Sequence, residues 1–260
     1  MTGLTVTESS GWTAGFRTLL GKEMASWWRT RRWLVHLLLW PIAVTGIVFI
    51  SGLEMRKSAS PEKGLGEFMQ IFFQLGGFFG LIGAIVVAQG AIVGERRMGT
   101  AAWVMTKPVS RHAFILSKLV ATTVTFLLLS LVWPALVVLG ESWFFWHQLP
   151  PQQAFWEAVG ILAVHQVFYI SLTIMLGTLF QSRGPVAGVA LGVWIGGQIV
   201  MSMLPKWMIL AMPWPIVQIL ADIALWKPIP FWIWRTVIAV LVWIVLFMGV
   251  ALWRFSKEEL

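Results

Sequence analysis

The chain has 260 residues, 58% hydrophobic and only 12% charged, with a mean hydropathy of +0.80. Soluble domains carry about 25% charged residues, so this composition excludes an ordinary water-soluble domain, and the absence of cysteine excludes disulfides, thiolate metal sites and a Cys nucleophile. A net charge of +8 on a soluble protein would suggest nucleic acid; here the cations read as the Lys and Arg that membrane proteins gather in cytoplasmic loops, and nucleic acid is set aside as a partner.

The N-terminus is not a signal peptide in form, because polar residues come first and the apolar run starts only at Trp33. Ahead of that run, Trp12, Phe16, Leu19, Leu20, Met24 and Trp27 recur at helical spacing, with Arg17, Lys22 and Arg29 largely off the stripe. This predicts an amphipathic helix over 12–32 lying in the inner interface beside anionic lipid heads. A positive-inside anchor with no further role would give the same pattern.

Six segments are long enough and nearly free of charge, at 33–53, 68–93, 114–139, 158–180, 185–204 and 233–253. In lipid a single segment satisfies its backbone only as a helix, so the fold class is an all-α membrane protein with one transmembrane domain over 1–260. Orientation follows from the cations. With the N-terminus inside, the inner segments hold most of them, from Arg17 to Arg32, then Arg96, Arg97, Lys107, Arg111, Arg183, Arg254 and Lys257. The outer segments hold only Arg56, Lys57, Lys63, Lys206 and Lys227, while Lys118 and Arg235 open spans. Both termini are expected in the cytoplasm. Trp agrees: only Trp40, Trp133, Trp194 and Trp243 of the 18 lie well inside a span.

The second span adds Gly76, Gly77, Gly80 and Gly83 to the polar residues Gln70, Gln74 and Gln89. After it comes the basic loop 94–112, Gly94-Glu95-Arg96-Arg97-Met98-Gly99-Thr100 and then Ala101 to Arg111, with Lys118 opening the next span. A charged cluster, a glycine, a short apolar stretch and a Pro-terminated turn offer an apolar bump on a basic platform. That suits docking of a cytoplasmic partner, though cations that only fix topology would look alike.

Trp143-Phe144-Phe145-Trp146, past the third span, is expected to dip into the outer interface. The fourth span carries His165, Gln166 and Tyr169; His165 and Tyr169 share a face, and a proton relay is set aside because no intramembrane acid accompanies them. In the fifth, Gly184, Gly188, Gly192 and Gly196 recur every fourth residue, with Gln198 beyond. Such a groove lets another helix approach closely, from this chain or from another. The Pro- and Trp-rich stretch 205–232 is too interrupted to span and reads as re-entrant or interfacial helices on the outer face.

Glu95-Arg96, Gly99-Thr100, a short apolar stretch, then Pro108-Val109-Ser110-Arg111 and Lys118, placed after a second span, resembles the signature of the ABC-2 (type 2) ABC transporter permeases. The layout resembles that family along the whole chain, including the basic end Arg254-Phe255-Ser256-Lys257. Many relatives have an acid two positions after Gly-Thr, where this chain has Ala102. The resemblance implies a coupling helix, with Glu95, Arg96, Arg97, Met98, Gly99, Thr100, Trp103, Met105 and Arg111 engaging a nucleotide-binding subunit. It implies that the N-terminal helix, with Trp12, Phe16, Arg17, Leu20 and Trp27, braces that contact. Spans two and five of two protomers would line a central path, with Gln74, Gly76, Gly80, Gly83, the Gly184–Gly196 stripe and Gln198 at the path or dimer seam.

ATP and Mg would be bound by two ATPase partner subunits and no cofactor or metal by this chain, which contains no Gly-x-x-x-x-Gly-Lys-Ser/Thr phosphate loop. The partners expected are those ATPases, a second permease copy or paralogue, and membrane lipid. The expected role is the permease of an ATP-driven exporter in a bacterial or archaeal cytoplasmic membrane, with an amphipathic or apolar substrate such as a drug, peptide or lipid-like molecule. A scaffold that recruits an ATPase without transport would share the docking loop. An intramembrane enzyme finds little support, since paired intramembrane carboxylates and a His-x-x-x-His pattern are absent.

Overall fold

Backbone groups in hydrocarbon must bond within their own segment, and every regular element among the described residues is helical. The computed structural model describes residues 11, 13–57, 59–99, 103, 106, 109–201 and 203–257, the Lys206 side chain excepted. A surface helix, α1 (Phe16–Arg29), precedes α2 (Arg32–Met55), α3 (Pro61–Ala88), the short α4 (Val93–Arg97), α5 (Arg111–Trp146), α6 (Gln152–Leu179) and α7 (Arg183–Val200). Two short helices, α8 (Lys206–Ile209) and α9 (Leu220–Ala224), lead to α10 (Trp232–Ser256). Five helical stretches are long and apolar enough to cross a membrane: α2, α3 continued through α4, α5, α6 and α10.

The segment 185–204 forms the shorter α7, whose 18 residues reach about 27 Å. Pro205 stands beyond its end, where a proline biases the preceding backbone away from helix. α3 starts at Pro61 rather than at 68, because Pro suits the first turn and the charges of Glu62, Lys63 and Glu67 do not interrupt a helix outside hydrocarbon. Trp143 to Trp146 are not a separate dip. They are the last turn of α5, which ends at His147 in left-handed conformation (φ 51°) ahead of Pro150 and Pro151. The N-terminal helix is shorter than 12–32. It begins after Gly15, at φ 77°, where the Val109 side chain fills the space a Cβ would need, and it stops at Thr30.

Two of the long helices carry a π turn, Pro41–Thr45 in α2 and Leu128–Val132 in α5. Pro41 has no N–H for the carbonyl four residues back, and that Leu37 oxygen instead accepts the indole N–H of Trp133 on α5 at 3.1 Å. The defect in one span is thus satisfied by its neighbour.

α6 is the centre of the bundle, packed against α10, α3, α9 and α7. It is apolar on all sides, as a helix buried all round should be. Phe72, Phe73 and Phe155 fill the contact with α3. α2 and α10 instead turn Leu38, Ile42, Ile50, Ile238, Val242 and Val245 outward, as lipid-facing helices do. The 205–232 stretch folds back onto the bundle: Ile216, Leu220, Ile223 and Ala224 are buried, and the indole of Trp243 on α10 donates to the Ala211 carbonyl at 2.9 Å.

Candidate functional site

The chain after α3 turns at 89–92, forms α4, and reaches Gly99, whose φ of 66° is a left-handed conformation that glycine adopts without strain. Met98 and Trp103 are 70% and 64% exposed, and Arg97 is exposed beside them. The Trp103 N–H donates to the Gly99 carbonyl at 3.2 Å, one helical turn back. Thr100 and Met105, like Trp12 on the N-terminal side, lie outside the described residues.

The flanks of this loop are bonded to four helices. Lys118, about two turns into α5, is only 3% exposed. Its Nζ contacts Glu23 Oε1 of α1 and Glu95 Oε1 of α4, each at 2.9 Å. A lone ammonium there would cost several kcal/mol, about that much per uncompensated ion, and two carboxylates offset it. Arg96 donates to the last carbonyls of α6, Gly177 at 3.0 Å and Thr178 at 3.1 Å, where the helix dipole favours a cation. Arg111 treats α10 the same way, donating to the Ser256 carbonyl at 2.8 Å, and Phe114 stacks on Phe255 (centroids 5.3 Å apart, 8° between planes). The backbone N–H of Ser110 donates to Ala14 at 2.9 Å, so the loop's end is also tied to the start of α1.

Arg96 and Arg111, read from sequence as partner contacts, thus serve inside the chain, whereas Arg97, Met98 and Trp103 are presented outward. On α1, Phe16 packs against the core, Leu20 and Trp27 are half-buried and Arg17 is exposed. Sequence reading passed over Glu23 and gave Lys118 no partner. The signal was present: a Lys inside an apolar run needs a carboxylate, and Glu23 is the sole acid in α1. A cavity of about 520 Å³ lies beside this cluster, lined by Trp27, Arg32, His36, Lys118 and Arg183 among others.

The glycines divide into two kinds. Those of α3 are used within the chain: a Cβ at Gly83 would overlap the Trp40 indole, one at Gly80 the Gln166 amide, and one at Gly76 would come within 3.3 Å of Leu162. At Gly184, Gly188, Gly192 and Gly196 of α7 a Cβ would meet nothing within 4 Å. Gln74 and Gln198 are exposed and line a second cavity of about 230 Å³ between α3, α6, α7 and the 205–232 stretch. Its walls include Phe78, Trp194, Trp214 and Val217, and His165 reaches it from α6.

The sequence reading counted no acid within a span; Glu141 lies in the extension of α5 beyond the expected 114–139. Glu141 meets Thr45 of α2. Among the described residues no cluster of three His, Cys, Asp or Glu could hold a metal.

A comparison with curated proteins gives no match. The model of a protein family described as ABC-2 family transporter protein matches residues 17–260, from α1 to the C-terminus. With its multi-pass helical architecture and its loop after the second long helix, the chain belongs to the ABC-2 transporter family.

Proposed function

We propose that this chain is the transmembrane permease subunit of an ATP-driven exporter, moving an amphipathic or apolar substrate across the cytoplasmic membrane. Two separate nucleotide-binding subunits would hold ATP and Mg. In this reading α7 is the sixth span, both termini are cytoplasmic, and 205–232 is the outer re-entrant cap. The residues between α4 and α5 receive the motion of the ATPase. Membership of the family supports the reading, and one observation carries it: Lys118 is clamped between Glu23 and Glu95, so α1, α4 and α5 share a charge cluster that lines one cavity with the exposed Met98.

A push on Met98 and Trp103 would be conveyed through α4 to Lys118. Arg96 would carry it to the end of α6 and Arg111 to the end of α10. Four helices would then move together, which is the requirement for switching a pathway between two openings. The open glycine face of α7 would seat a second copy or a paralogue, since small residues permit close helix approach.

The test is purification from native membranes. An ATP-binding chain should accompany the wild type, at one ATPase per permease. Trp103→Asp combined with Met98→Asp, both at exposed positions, should abolish that association and leave the permease intact by thermal unfolding in detergent. Retention of the ATPase by that variant, or no ATPase with the wild type, would overturn the assignment.

A further inference from the structure

The 230 Å³ cavity has two properties that rarely occur together. No Asp, Glu, Lys or Arg lines it, yet buried polar atoms at its wall have no partner. His165 is 2% exposed, lines the cavity, and its Nδ1 makes no hydrogen bond. Trp214 Nε1 and Tyr169 Oη lie near one another but fall short of hydrogen-bond geometry. The Tyr169 ring meets His165 edge to face, with centroids 5.2 Å apart. Next to His165, the Gln166 amide donates weakly to the Gly76 carbonyl at 3.4 Å, and its oxygen has no partner.

Each unpaired buried polar group costs on the order of 1–3 kcal/mol, and hydrocarbon supplies no water to relieve it. Two glycines maintain the arrangement. The Trp214 indole lies on Gly197 and the Gln166 amide on Gly80, where in each case a Cβ would overlap the side chain. Helix small-residue positions are thus used here to seat polar side chains.

We propose that this cavity binds an uncharged molecule with a flat apolar body and one hydrogen-bonding head, the head seated between His165 and Trp214. The body would lie against Phe78 and Trp194, whose rings are 5.3 Å apart and inclined at 53°. A formal charge is disfavoured because no counter-ion is present. Drug-sized pockets run to about 300–1,000 Å³, so the cavity takes a small molecule or one ring system of a larger one. Gln218 lines this cavity and also a polar cavity of about 410 Å³ with Glu62, Glu67 and Asp222. That the molecule is cargo rests on the transporter reading; that it binds does not.

The probe is radiolabelled 2-naphthol, compared with naphthalene and naphthalene-2-sulfonate, and saturable binding is measured to the purified full chain in detergent. Naphthol should bind once per chain, naphthalene about tenfold more weakly for the lost hydrogen bond, and the sulfonate not at all. His165→Phe should weaken naphthol about tenfold and leave naphthalene unchanged. Because that position is buried, Gln198→Trp at the exposed rim is the companion; it should fill the cavity and remove binding of both. Equal binding of naphthol and naphthalene would mark the cavity as a groove for lipid chains and overturn the proposal. So would wild-type naphthol affinity in both variants. Saturable binding without ATP-driven movement in vesicles would overturn the cargo reading alone, whereas ATP-driven export of another substrate without naphthol binding would overturn only the pocket.

Discussion

Two levels of the bundle, one end of α6 and its middle, handle polar groups in opposite ways. At the loop after α3, charges are buried or half-buried but paired: Lys118 with two carboxylates, Arg96 and Arg111 with helix carbonyls. Near His165, twelve residues and so about 18 Å before the Arg96 contact at Gly177, the polar groups are neutral and incompletely bonded. A paired charge cluster resists deformation, because separating it exposes an ion to low dielectric. Neutral groups with spare bonding capacity cost less to rearrange and can meet a ligand. In the proposed reading the paired cluster would transmit force and the cavity beside the middle of α6 would accept a guest.

The largest effect should come from breaking the paired end. Lys118→Met removes the ammonium that both Glu23 and Glu95 contact, and removing one partner of a buried pair costs about 3–5 kcal/mol. Thermal unfolding in detergent should show a strong loss, and Lys118→Met with Glu23→Gln and Glu95→Gln should recover most of it. If the single substitution is silent, the cluster is not the rigid element claimed. Next in size is Arg96→Leu. It strips the α6 terminus of charge-assisted hydrogen bonds worth about 1.5–3 kcal/mol, and hydrogen exchange should rise at Gly177 to Phe180 before the rest of α6.

How much of this was readable beforehand differs along the same line. Five of the six expected spans were legible because hydropathy depends on composition over some 20 residues, and the placement of the loop after the second long helix followed from it; the Gly-rich 185–204 is not among the helices long and apolar enough to cross. Helix ends were not. Pro61 to Glu67 and Trp143 to Trp146 are helical extensions whose polar or aromatic residues resemble loop when read by hydropathy alone. Among site residues, the exposed ones, Met98 and Trp103, stand where an apolar bump was expected. The roles of Arg96, Arg111 and Glu23 were hidden because each depends on a partner distant in sequence, 81 residues away for Gly177, and local patterns carry no such information. The glycine rows looked alike on paper, yet the α3 row is filled by Trp40 and Gln166 while the α7 row faces open space.

That contrast yields the third test. Gly83→Ala forces the Trp40 indole and Phe126 aside and should cost about 1–3 kcal/mol by overpacking. Gly188→Ala meets no neighbour and should leave the monomer's unfolding temperature unchanged or raised, since alanine is the better helix former by about 1 kcal/mol. Gly188→Leu with Gly192→Leu sharpens the comparison. Monomer stability should persist while any dimer resolved by size exclusion with light scattering is lost; an intact dimer would mean that the second copy sits elsewhere.

The smallest expected effect isolates burial from charge. Lys57 and Glu54 form an ion pair of the same 2.9 Å length as those of Lys118, but their side chains are 69% and 72% exposed. Water already solvates both groups, salt screens them, and fixing two long side chains costs entropy, so such pairs contribute about 0–1 kcal/mol. Lys57→Ala should therefore shift unfolding by at most about a third of what Lys118→Met does, and raising the salt concentration should erase even that. A comparable loss from both substitutions would show that distance alone, not the surroundings of the Lys118 cluster, sets its strength, and the claim that burial makes this end a transmitter of force would fail with it.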